Sequence, residues 1–429
     1  MNILEIIDKK RNGKILNLNE IEFVVNNYTN DNITDYQMSS FLMALTIKGM
    51  NSEEISNLTM CMKNTGRSYD FKNIQGIKLD KHSTGGVSDT TTLAILPIMA
   101  SLGYKFPKMS GRSLGYTGGT IDKLEVFKGI NLSLNEEQFV EILNKVGCCI
   151  TSQTNDIAVA DKKIYALRDA SGTVSSLALI ASSIMSKKLA FKTDCLVLDV
   201  KFGEGALLSR RKDAIKLAKL MVEIGKNNNH KTLAIISNMN YPLGNGIGNN
   251  LEVFDVIEVL NGVENNLSYV IKFICSLYLS EFEHLSYKQA LKKINEVINS
   301  KKALNKFKEM IKAESGATDV IENPNLLLNC VNDKVLSNKS GFITKIDALK
   351  LAKIVLNLGG GRIKKDDIVK NEVGIKIKVK INQKVSENDE LCSVFSENIS
   401  NELKNEILGC FEIKSHKIIN PKLIYKVIK

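Results

Sequence analysis

From about residue 75 onward, the sequence alternates between short apolar runs, glycine-containing turns and stretches with helical periodicity. The run CLVLDV at 195–200 is apolar at five of six positions, which is typical of a strand buried on both faces of a parallel sheet. Further short runs occur at 77–79, 106–109 and 232–237, and predicted helices at 90–102, 136–146 and 206–224. Strands that alternate with helices in this way predict βαβ units and therefore an α/β domain.

The two ends of the chain do not share this alternation. Apolar residues recur at helical spacing through most of 1–65, which predicts a helical region. From about residue 340, and most clearly over 373–394, apolar and polar residues alternate between polar turns at 382–383 and 387–388, which predicts small β-hairpins. At about 150 residues per domain, the 429 residues have room for roughly three folding units.

The net charge is +11, yet the composition argues against nucleic acid or a membrane as partner. Only seven of the 58 basic residues are arginine, and the lysines are scattered instead of forming one basic stripe with aromatic residues. The longest apolar runs are far shorter than the ~20 residues of a membrane-spanning helix, and residues 1–10 carry acidic residues where a signal peptide has its apolar centre. We therefore expect a cytoplasmic protein whose positive charge suits an anionic small substrate.

The eight cysteines form no pattern that is typical of a metal site. The sequence has no CxxC pair and no cysteine–histidine cluster with zinc-ligand spacing, so we expect no structural metal. Adjacent Cys148 and Cys149 lie at the end of an apolar stretch, which favours buried, reduced thiols over redox chemistry.

The segment LDKHSTGGVSDTTT at 79–92 joins the end of a predicted strand to the start of a helix through a glycine turn. Free N–H groups and the helix dipole favour an anion at such a place, and Gly85-Gly86 allow the backbone to approach it closely. Lys81, Ser83 and Thr92 add charge and hydroxyl donors. The segment is neither a Walker A loop nor GxGxxG. It predicts a phosphate site, and the alternative is a glycine turn with hydroxyl caps.

A second glycine-rich segment, KMSGRSLGYTGGTIDKLE at 108–125, follows the strand predicted at 106–109. It holds four glycines, with the hydroxyls of Ser110 and Thr120 at either side. Ligands of open α/β sheets bind beyond the carboxyl ends of adjacent strands, so we expect both loops to face one anion. We interpret Asp122, Lys123 and Glu125 as surface charges that pair with one another, and we assign them no chemistry.

The third segment is YALRD at 165–169, followed by a predicted helix. In that helix Ile180, Ser183 and Lys187 recur at i, i+3 and i+7, so they share one face. With Arg168 at its entrance, this face suits a flat heterocycle that carries carbonyl oxygens. The alternative is a solvated helix edge.

His82 is the only histidine inside one of these segments. The sequence shows neither a nucleophile elbow nor a pair of catalytic carboxylates. A positioned phosphate beside one imidazole predicts a transferase or phosphorolysis site and not a hydrolase.

Together the three segments resemble the signature blocks of the pyrimidine-nucleoside phosphorylase and thymidine phosphorylase family. The resemblance is carried by DKHSTGGVSDTTT at 80–92, SGRSLGYTGGTIDKLE at 110–125 and YALRD with IASSIMSKK between 165 and 188. It extends over nearly the whole chain, including VLDVK at 197–201 and GGGR at 359–362.

The resemblance implies a small all-α domain and a large α/β domain with a mixed sheet on either side of a cleft, and a C-terminal α/β-hammerhead-like subdomain. The domains would comprise 1–65 with 160–190, 75–153 with 195–335, and 340–429. Hinges near 66–74, 153–160 and 189–195 would close phosphate on the α/β side against the base on the α side. The resemblance also implies a homodimer through the α domains.

Residue by residue, the resemblance implies two binding sets. The phosphate set comprises Lys81, Ser83, Thr92, Lys108, Met109, Ser110 and Thr120. The base set comprises Arg168, Ser183 and Lys187, with Leu114, Tyr165 and Ile180 as apolar walls. The catalytic residues would be His82, Arg168 and Lys187.

The implied reaction is attack of phosphate on the anomeric carbon of uridine, thymidine or deoxyuridine, with inversion. It gives the free base and α-ribose 1-phosphate or its 2-deoxy counterpart. His82 would protonate or hydrogen-bond the departing pyrimidine, and Arg168 and Lys187 would stabilise its negative charge. Inorganic phosphate is the implied co-substrate, and no organic cofactor is expected.

Members of the family also bind a monovalent cation, usually potassium. The corresponding positions here are Ser88, Thr90, Leu243, Gly246 and Asp255. Three of them depart from the family pattern, since Ser88 replaces Gly, Gly246 replaces Ala and Asp255 replaces Glu. The Asp255 side chain is one methylene shorter than the usual ligand.

Three alternatives remain open at this point. The first is a thymidine phosphorylase restricted to 2-deoxynucleosides, because a single contact can decide the response to the 2-hydroxyl. The second is anthranilate phosphoribosyltransferase, which shares the architecture but for which magnesium dependence is expected. The third is a non-catalytic nucleoside-binding protein, and the intact set Lys81, His82, Arg168 and Lys187 argues against it.

Overall fold

The computed structural model describes residues 1–113, 115–116, 118–364 and 366–429. The chain begins with four helices, as the periodicity of 1–65 predicts: α1 (Ile3–Arg11), α2 (Leu18–Thr29), α3 (Asp35–Lys48) and α4 (Ser52–Asn64). Asn17 and Asn51 cap α2 and α4 in reciprocal capping boxes with Glu20 and Glu54, which satisfies backbone N–H groups that the helices leave free.

Two later helices pack against this N-terminal group, namely α8 (Val159–Ala170) and α9 (Leu177–Ala190). Ala160, Ile164 and Leu179 share one hydrophobic cluster with the buried faces of α1 to α4. Helix α9 also packs on its other side: Ala181, Met185 and Leu189 contribute to a second cluster with the sheet of the α/β region. Helix α9 therefore lies between the helical group and the α/β region.

The α/β region contains a four-stranded mixed sheet in the order β1-β4-β5-β13. Its parallel strands are β1 (Leu79–Ser83), β4 (Cys195–Phe202) and β5 (Thr232–Asn238). A separate parallel pair consists of β2 (Phe106–Ser110) and β3 (Cys148–Ser152). These strands confirm the predicted α/β pattern, and the eight residues of β4 are all buried.

The helices of this region cover its strands and extend it. They are α5 (Thr91–Ser101), α6 (Thr120–Leu124), α7 (Glu136–Val146), α10 (Arg211–Asn227), α11 (Asn249–Leu260), α12 (Asn266–Glu283), α13 (Tyr287–Asn299), α14 (Lys302–Ala313) and α15 (Asp319–Glu322), followed by a 3₁₀ turn at Pro324–Leu328. Within the described residues, no helix combines the length and the apolar character that crossing a bilayer requires.

The C-terminal part forms two small sheets, ordered β10-β8-β12 and β6-β9-β11-β7. Their strands are β6 (Gly246–Ile247), β7 (Asn332–Leu336), β8 (Gly341–Ile346), β9 (Gly374–Ile377), β10 (Lys384–Val385), β11 (Glu390–Phe395) and β12 (Phe411–Lys414). Helices α16 (Ala348–Val355) and α17 (Asn401–Leu408) accompany them, with a π-helical turn at Leu356–Gly360.

One expectation about this part is wrong. The predicted hairpins do not form: the turns at Asn382 and Asn388 exist, with φ of 66° and 70°, but β9 pairs with β11 whereas β10 pairs with β8. The last strand, β13 (Ile424–Ile428), pairs antiparallel with β5 of the large sheet. Strand pairing is a long-range choice that alternation along the sequence does not specify.

Candidate active site

A cavity of about 330 Å³ lies where the ends of β1 and β2 face helix α9. Strand ends and the loops after them supply most of its wall, in the position where ligands of α/β sheets bind. The lining residues include His82, Ser83, Asp89, Thr92, Lys108, Met109, Ser110, Thr120 and Lys123 on that side, and Ile184, Lys187, Lys188 and Phe191 at α9. Six of the seven residues predicted to hold phosphate therefore line one cavity.

The loop after β1 is organised around Asp89. The Asp89 carboxylate accepts hydrogen bonds from the hydroxyls of Ser83 (2.5 Å) and Thr91 (2.6 Å). Gly85 donates its N–H to the Ser83 hydroxyl (3.1 Å) and adopts φ of +84°, a conformation that favours glycine. These bonds fix the hydroxyls that face the cavity before any ligand arrives.

Lys81 is the one member of the predicted phosphate set that does not line the cavity. Its ammonium lies directly beneath, fully buried, and donates to the Thr91 hydroxyl (2.6 Å) with Asp199 Oδ2 at 3.8 Å. Burial lowers the pKa of Lys81, and Asp89 and Asp199 oppose this effect. The positive charge of Lys81 therefore acts on the cavity from below.

Three charged groups form a second buried cluster beside the cavity. The Asp80 carboxylate lies between the ammonium groups of Lys108 (3.1 Å) and Lys188 (2.9 Å). Burial disfavours the charged form of Asp80, but the two lysines together outweigh it and lower its pKa to about 2. Lys108 and Lys188 both line the cavity, so Asp80 holds two lysine side chains at its wall. Burial lowers the pKa of Lys108 to about 7, against the opposing charge of Asp80.

The half-buried His82 imidazole faces the same cavity. Burial, together with the nearby charges of Lys188 and Lys108, lowers its pKa well below the usual value of 6.5. The imidazole is therefore neutral near pH 7 and can donate one N–H and accept at the other nitrogen.

On the opposite wall, Lys187 is the residue of the predicted base set that lines the cavity. Its ammonium pairs with the buried carboxylate of Asp161 on α8 and lies 3.3 Å from the Ser183 hydroxyl. The other lining residues of α9 are Ile184 and Lys188, each one residue after a predicted position, Ser183 and Lys187.

The remaining members of the base set lie apart from the cavity wall. Arg168 is buried and donates to the carbonyls of Val174 (2.9 Å) and Leu179 (3.2 Å). Its Nε has no partner among the described residues. Tyr165 is half exposed, with the Arg168 guanidinium 5.6 Å above its ring. Ile180 packs into the core beside Ile55, and Leu114 lies outside the described residues.

The interpretation of Asp122, Lys123 and Glu125 as charges that pair with one another is wrong. Asp122 is buried and accepts hydrogen bonds from the N–H groups of Ser113 (2.9 Å) and Gly119 (2.8 Å). Lys123 lines the cavity, pairs with buried Glu252 (2.8 Å) and donates to the Asp89 carbonyl (3.1 Å). Glu125 pairs with Arg112. Asp122 and Glu125 both face arginines, and Lys123 faces Glu252, which their spacing in sequence does not reveal.

Three of the five positions predicted to hold a cation carry buried oxygens that lack a partner among the described residues. These are Ser88 Oγ, Thr90 Oγ1 and Asp255 Oδ1. The other Asp255 oxygen accepts the N–H groups of Asn245 and Gly246, each at 2.7 Å. A methyl group added at Gly244 would meet both Ser88 Oγ (2.5 Å) and Asp255 Oδ2 (2.6 Å). Burial raises the pKa of Asp255 to about 7, against the two N–H bonds.

Sequence reasoning missed the carboxylates that organise this site. Asp80 precedes His82 by two residues in β1, and that spacing places both on one face of the strand. Asp161 precedes Arg168 by seven residues, which is two turns of the same helix. Asp199 follows CLVL in a strand that is otherwise apolar. In each case a charged residue inside a predicted buried element is the signal that could have identified it.

Three family models match this chain. The model described as glycosyl transferase family, helical bundle domain, matches residues 4–66, and the a/b domain of the same family matches 75–304. The pyrimidine nucleoside phosphorylase C-terminal domain matches 342–414.

Curated relatives align over the full length. The pyrimidine-nucleoside phosphorylase of Staphylococcus epidermidis is 42% identical over 436 residues, with 100% of both chains covered. The pyrimidine-nucleoside phosphorylase of Bacillus subtilis is 40% identical over 428 residues, with 98% of this chain and 99% of the relative covered.

Among solved structures, the anthranilate phosphoribosyltransferase of Thermus thermophilus superposes with a TM-score of 0.59 at 15% identity. The match covers 72% of this chain and 99% of that protein. At this identity the likeness concerns the fold alone, and more than a quarter of the present chain has no counterpart in it.

Proposed function

Since the chain belongs to the glycosyl transferase family, among the pyrimidine-nucleoside phosphorylases, we propose that it catalyses the reversible phosphorolysis of uridine, thymidine and deoxyuridine. A phosphate oxygen forms a bond to the anomeric carbon while the bond from that carbon to the pyrimidine nitrogen breaks. The bonding electrons leave with the base, and the products are the free pyrimidine and α-(2-deoxy)ribose 1-phosphate. A free base and a sugar phosphate of this kind suit nucleoside salvage or catabolism.

One observation carries the proposal: a single cavity joins the hydroxyl groups at the ends of β1 and β2 to the cationic face of α9, with His82 between them. A site for phosphorolysis must hold an anion on one side of the sugar and a carbonyl-bearing base on the other. Both kinds of wall are present within about 330 Å³.

We assign the phosphate to the α/β wall. The hydroxyls of Ser83, Thr92, Ser110 and Thr120 converge there, and Lys108 and Met109 lie at the end of β2. The ammonium of Lys81 below and those of Lys108 and Lys188 at the wall favour an anion, because buried charges act in a low dielectric. These groups are already held by Asp89, Asp199 and Asp80.

We assign the base to Lys187, Ser183 and Arg168, with Leu114, Tyr165 and Ile180 beside them. Lys187 and Ser183 already lie within 3.3 Å of each other, but Arg168 donates to backbone carbonyls of its own helical region. The proposal therefore includes a movement of the helical unit, 1–65 with 160–190, toward the α/β unit about segments 66–74, 153–160 and 189–195. Closure would also expel water from the reacting groups.

We propose that His82 assists departure of the base as a neutral imidazole. Its low pKa in the free site favours an N–H hydrogen bond to a pyrimidine carbonyl. A phosphate dianion bound beside it adds negative charge and raises the pKa again, which makes proton donation easier when both substrates are present. Lys187 and Arg168 stabilise the negative charge that grows on the base.

We further propose a potassium ion bound by Ser88, Thr90, Leu243, Gly246 and Asp255. The three buried oxygens without a partner support it, because buried oxygens normally pair with a donor or a cation. The ion would compensate the Asp255 carboxylate and tie the loop after β1 to residues 243–246.

A homodimer through the helical unit is also part of the proposal. Exposed apolar side chains on α1 to α3 support it, namely Leu4, Leu18, Tyr36, Met43 and Ile47. Tyr36, Met43 and Ile47 follow the i, i+7, i+11 spacing of one helix face. For the compartment we propose the cytoplasm, because the described cysteines are all unpaired, as is usual where thiols stay reduced.

The deciding experiment measures base release from uridine, thymidine and 2′-deoxyuridine by ultraviolet absorbance, with and without phosphate and in the presence of potassium. We expect phosphate-dependent release from all three. Release from the two deoxynucleosides alone would instead support the thymidine-restricted alternative. No release from any of them would contradict the proposal.

A further inference from the structure

Arg362 belongs to the C-terminal part of the chain, yet its partners lie in the glycine loop at 111–119 and in helix α6, which follows that loop. The Arg362 guanidinium pairs with Asp122 Oδ1, and its carbonyl accepts the N–H of Gly115 (2.8 Å). Gly115 and Arg362 form an isolated antiparallel bridge. The approach is so close that a methyl group added at Gly361 would lie 2.6 Å from the Gly115 carbonyl oxygen.

Asp122 connects Arg362 to the wall of the cavity. Its second oxygen accepts the N–H groups of Ser113 and Gly119, both of which line the cavity. The same carboxylate group is 2% exposed and the Arg362 side chain 12%. A pair this well shielded is screened little by salt. Removal of Arg362 leaves the buried Asp122 carboxylate with Arg112 alone, which lies 3.7 Å away and is half exposed.

The loop that these bonds hold connects Ser110 to Thr120, two hydroxyls of the proposed phosphate site. Gly119 sits against the loop itself, since a methyl group added there would lie 2.6 Å from the Gly111 carbonyl oxygen. Arg112 at the rim pairs with Glu125, whose carboxylate also lies 4.0 Å from Arg362. The described residues of this loop therefore link Ser110, the last residue of β2, to Thr120, the first residue of α6.

We propose that Arg362 is a positioning residue for phosphate: through Asp122 and Gly115 it holds the loop 111–119 so that Ser110 and Thr120 converge on the anion. The inference rests on the proposed function for the identity of the ligand. It gives the C-terminal part a role in substrate affinity, although none of its described residues lines the cavity.

The test compares Arg362→Met with Arg362→Lys, and uses Arg210→Met as the matched control, because Arg210 pairs with Asp213 on the exposed surface of the same chain. For Arg362→Met we expect the KM for phosphate to rise roughly tenfold, the factor that about 1.4 kcal/mol gives, while kcat and the KM for uridine change less than about twofold. Arg362→Lys keeps a cation within reach of Asp122, so we expect it to restore most of the phosphate affinity. Arg210→Met should match the wild type.

A second variant distinguishes loss of the ion pair from a general loosening of the structure around it. Asp122→Asn keeps an oxygen for the N–H groups of Ser113 and Gly119 but loses the charge that Arg362 meets. We expect Arg362→Met to have little further effect on the phosphate KM in the Asp122→Asn background, because contacting partners show non-additive effects. Full additivity would contradict the proposed route through Asp122.

Two readouts do not depend on turnover. Amide hydrogen exchange of the peptide that spans 111–119 should be faster in Arg362→Met than in Arg210→Met, and binding of radiolabelled inorganic phosphate in equilibrium dialysis should be weaker. Unchanged amide exchange together with unchanged phosphate affinity would overturn the inference. So would an Arg362→Met protein in which kcat and melting temperature fall and both KM values rise to a similar extent. A wild-type protein that binds phosphate but cleaves no nucleoside would contradict only the proposed function.

Discussion

The two walls of the cavity differ in how their polar groups are held. On the α/β wall, the Ser83 hydroxyl and the Lys108 side chain are fixed by the buried carboxylates of Asp89 and Asp80. Beneath this wall, Thr91 and Lys81 are held in the same way by Asp89 and Asp199. On the helical wall, Lys187 is paired with Asp161 and Arg168 is turned to backbone carbonyls. The first wall is organised before a ligand binds, whereas the second satisfies its cations internally.

This difference suggests a division of labour between affinity and turnover. A site that is already organised loses little free energy when its ligand binds. Cations that must exchange internal partners for the substrate contribute most where negative charge develops, and that is in the transition state. Changes on the α/β wall should therefore raise the KM for phosphate, and changes on the helical wall should lower the turnover of nucleoside.

The largest expected effect comes from Lys187. Lys187→Ala removes the one cation of the predicted base set that already lines the cavity, so we expect kcat/KM for uridine to fall by roughly 10²- to 10³-fold, the loss typical of one stabilising donor. The phosphate KM should change less than about twofold. Steady-state kinetics with each substrate varied in turn measures both values.

Lys187→Ala also leaves Asp161 as a buried, unpaired carboxylate. The double variant Lys187→Ala/Asp161→Asn removes that charge, so it can be assayed instead if the single variant unfolds. The exposed lysine Lys293, which pairs with Glu283 at the surface away from the cavity and the proposed hinges, supplies the control Lys293→Ala. Near-wild-type uridine turnover in a folded Lys187→Ala protein would refute the base-site assignment.

Arg168 tests whether the helical wall acts on the base or only stabilises the fold. Arg168→Met removes the donors to two buried carbonyls, which should lower the free energy of unfolding by about 1.5–3 kcal/mol. If Arg168 also reaches the base on closure, we expect kcat/KM for uridine to fall by roughly 10²-fold at temperatures where the variant is folded. Thermal unfolding and kinetics on the same preparation measure the two effects. A lower melting temperature with unchanged kcat/KM would make Arg168 a structural link between α8 and α9.

A smaller effect is expected on the α/β wall. Ser110→Ala removes one hydroxyl from the end of β2, and a neutral hydrogen bond contributes about 0.5–1.5 kcal/mol. The KM for phosphate should therefore rise by roughly two- to tenfold, with the KM for uridine unchanged. Ser40→Ala, which removes a helix-surface hydroxyl bonded to the Tyr36 carbonyl, is the control. Equal effects on both KM values would erase the distinction between the walls.

The sequence was a good guide to the α/β wall for a physical reason. Ser83 and Ser110 are the last residues of β1 and β2, and Thr92 lies in the first turn of α5. A parallel bridge between Lys78 and Lys105 sets β1 beside β2, so the carboxyl ends of both strands lie at one edge. Local pattern and site therefore coincide, and six of the seven predicted residues line the cavity.

The helical wall was harder to predict, because helical periodicity shows which residues share a face of the helix but not whether that face points to the core or to the cavity. Ile180, Ser183 and Lys187 do share a face of α9, but packing of the helix between α4 and α10 turns Ile180 into the core beside Ile55. The side chains that reach the cavity are Ile184, Lys187 and Lys188. The same limit applies to β13 and to the misassigned hairpins, where pairing partners are distant in the sequence.

The smallest effect is expected at the proposed potassium site. The direction in which stabilisation by potassium changes with pH follows from Asp255. Without a cation, burial raises the pKa of Asp255 to about 7 from an ordinary value of 3.8. Between these values the folded state binds the proton more tightly than the unfolded state, so this group lowers stability as pH rises toward 7. A cation binds only the ionised carboxylate. Stabilisation by potassium should therefore be weak at pH 5.5 and grow toward pH 8.

Ser88 and Thr90 belong to the loop that forms the α/β wall, so the effect of potassium reports on how that wall is organised. At pH 8, potassium at ten times its Kd should add about 1.4 kcal/mol to the free energy of unfolding, measured as a rise in melting temperature over choline chloride of equal ionic strength. Asp255→Asn should abolish the rise and its pH dependence. The same potassium titration should lower the KM for phosphate and leave the KM for uridine unchanged. A rise that is equal at pH 5.5 and 8, or that persists in Asp255→Asn, would place the stabilising cation elsewhere and leave the organisation of the α/β wall to its buried carboxylates alone.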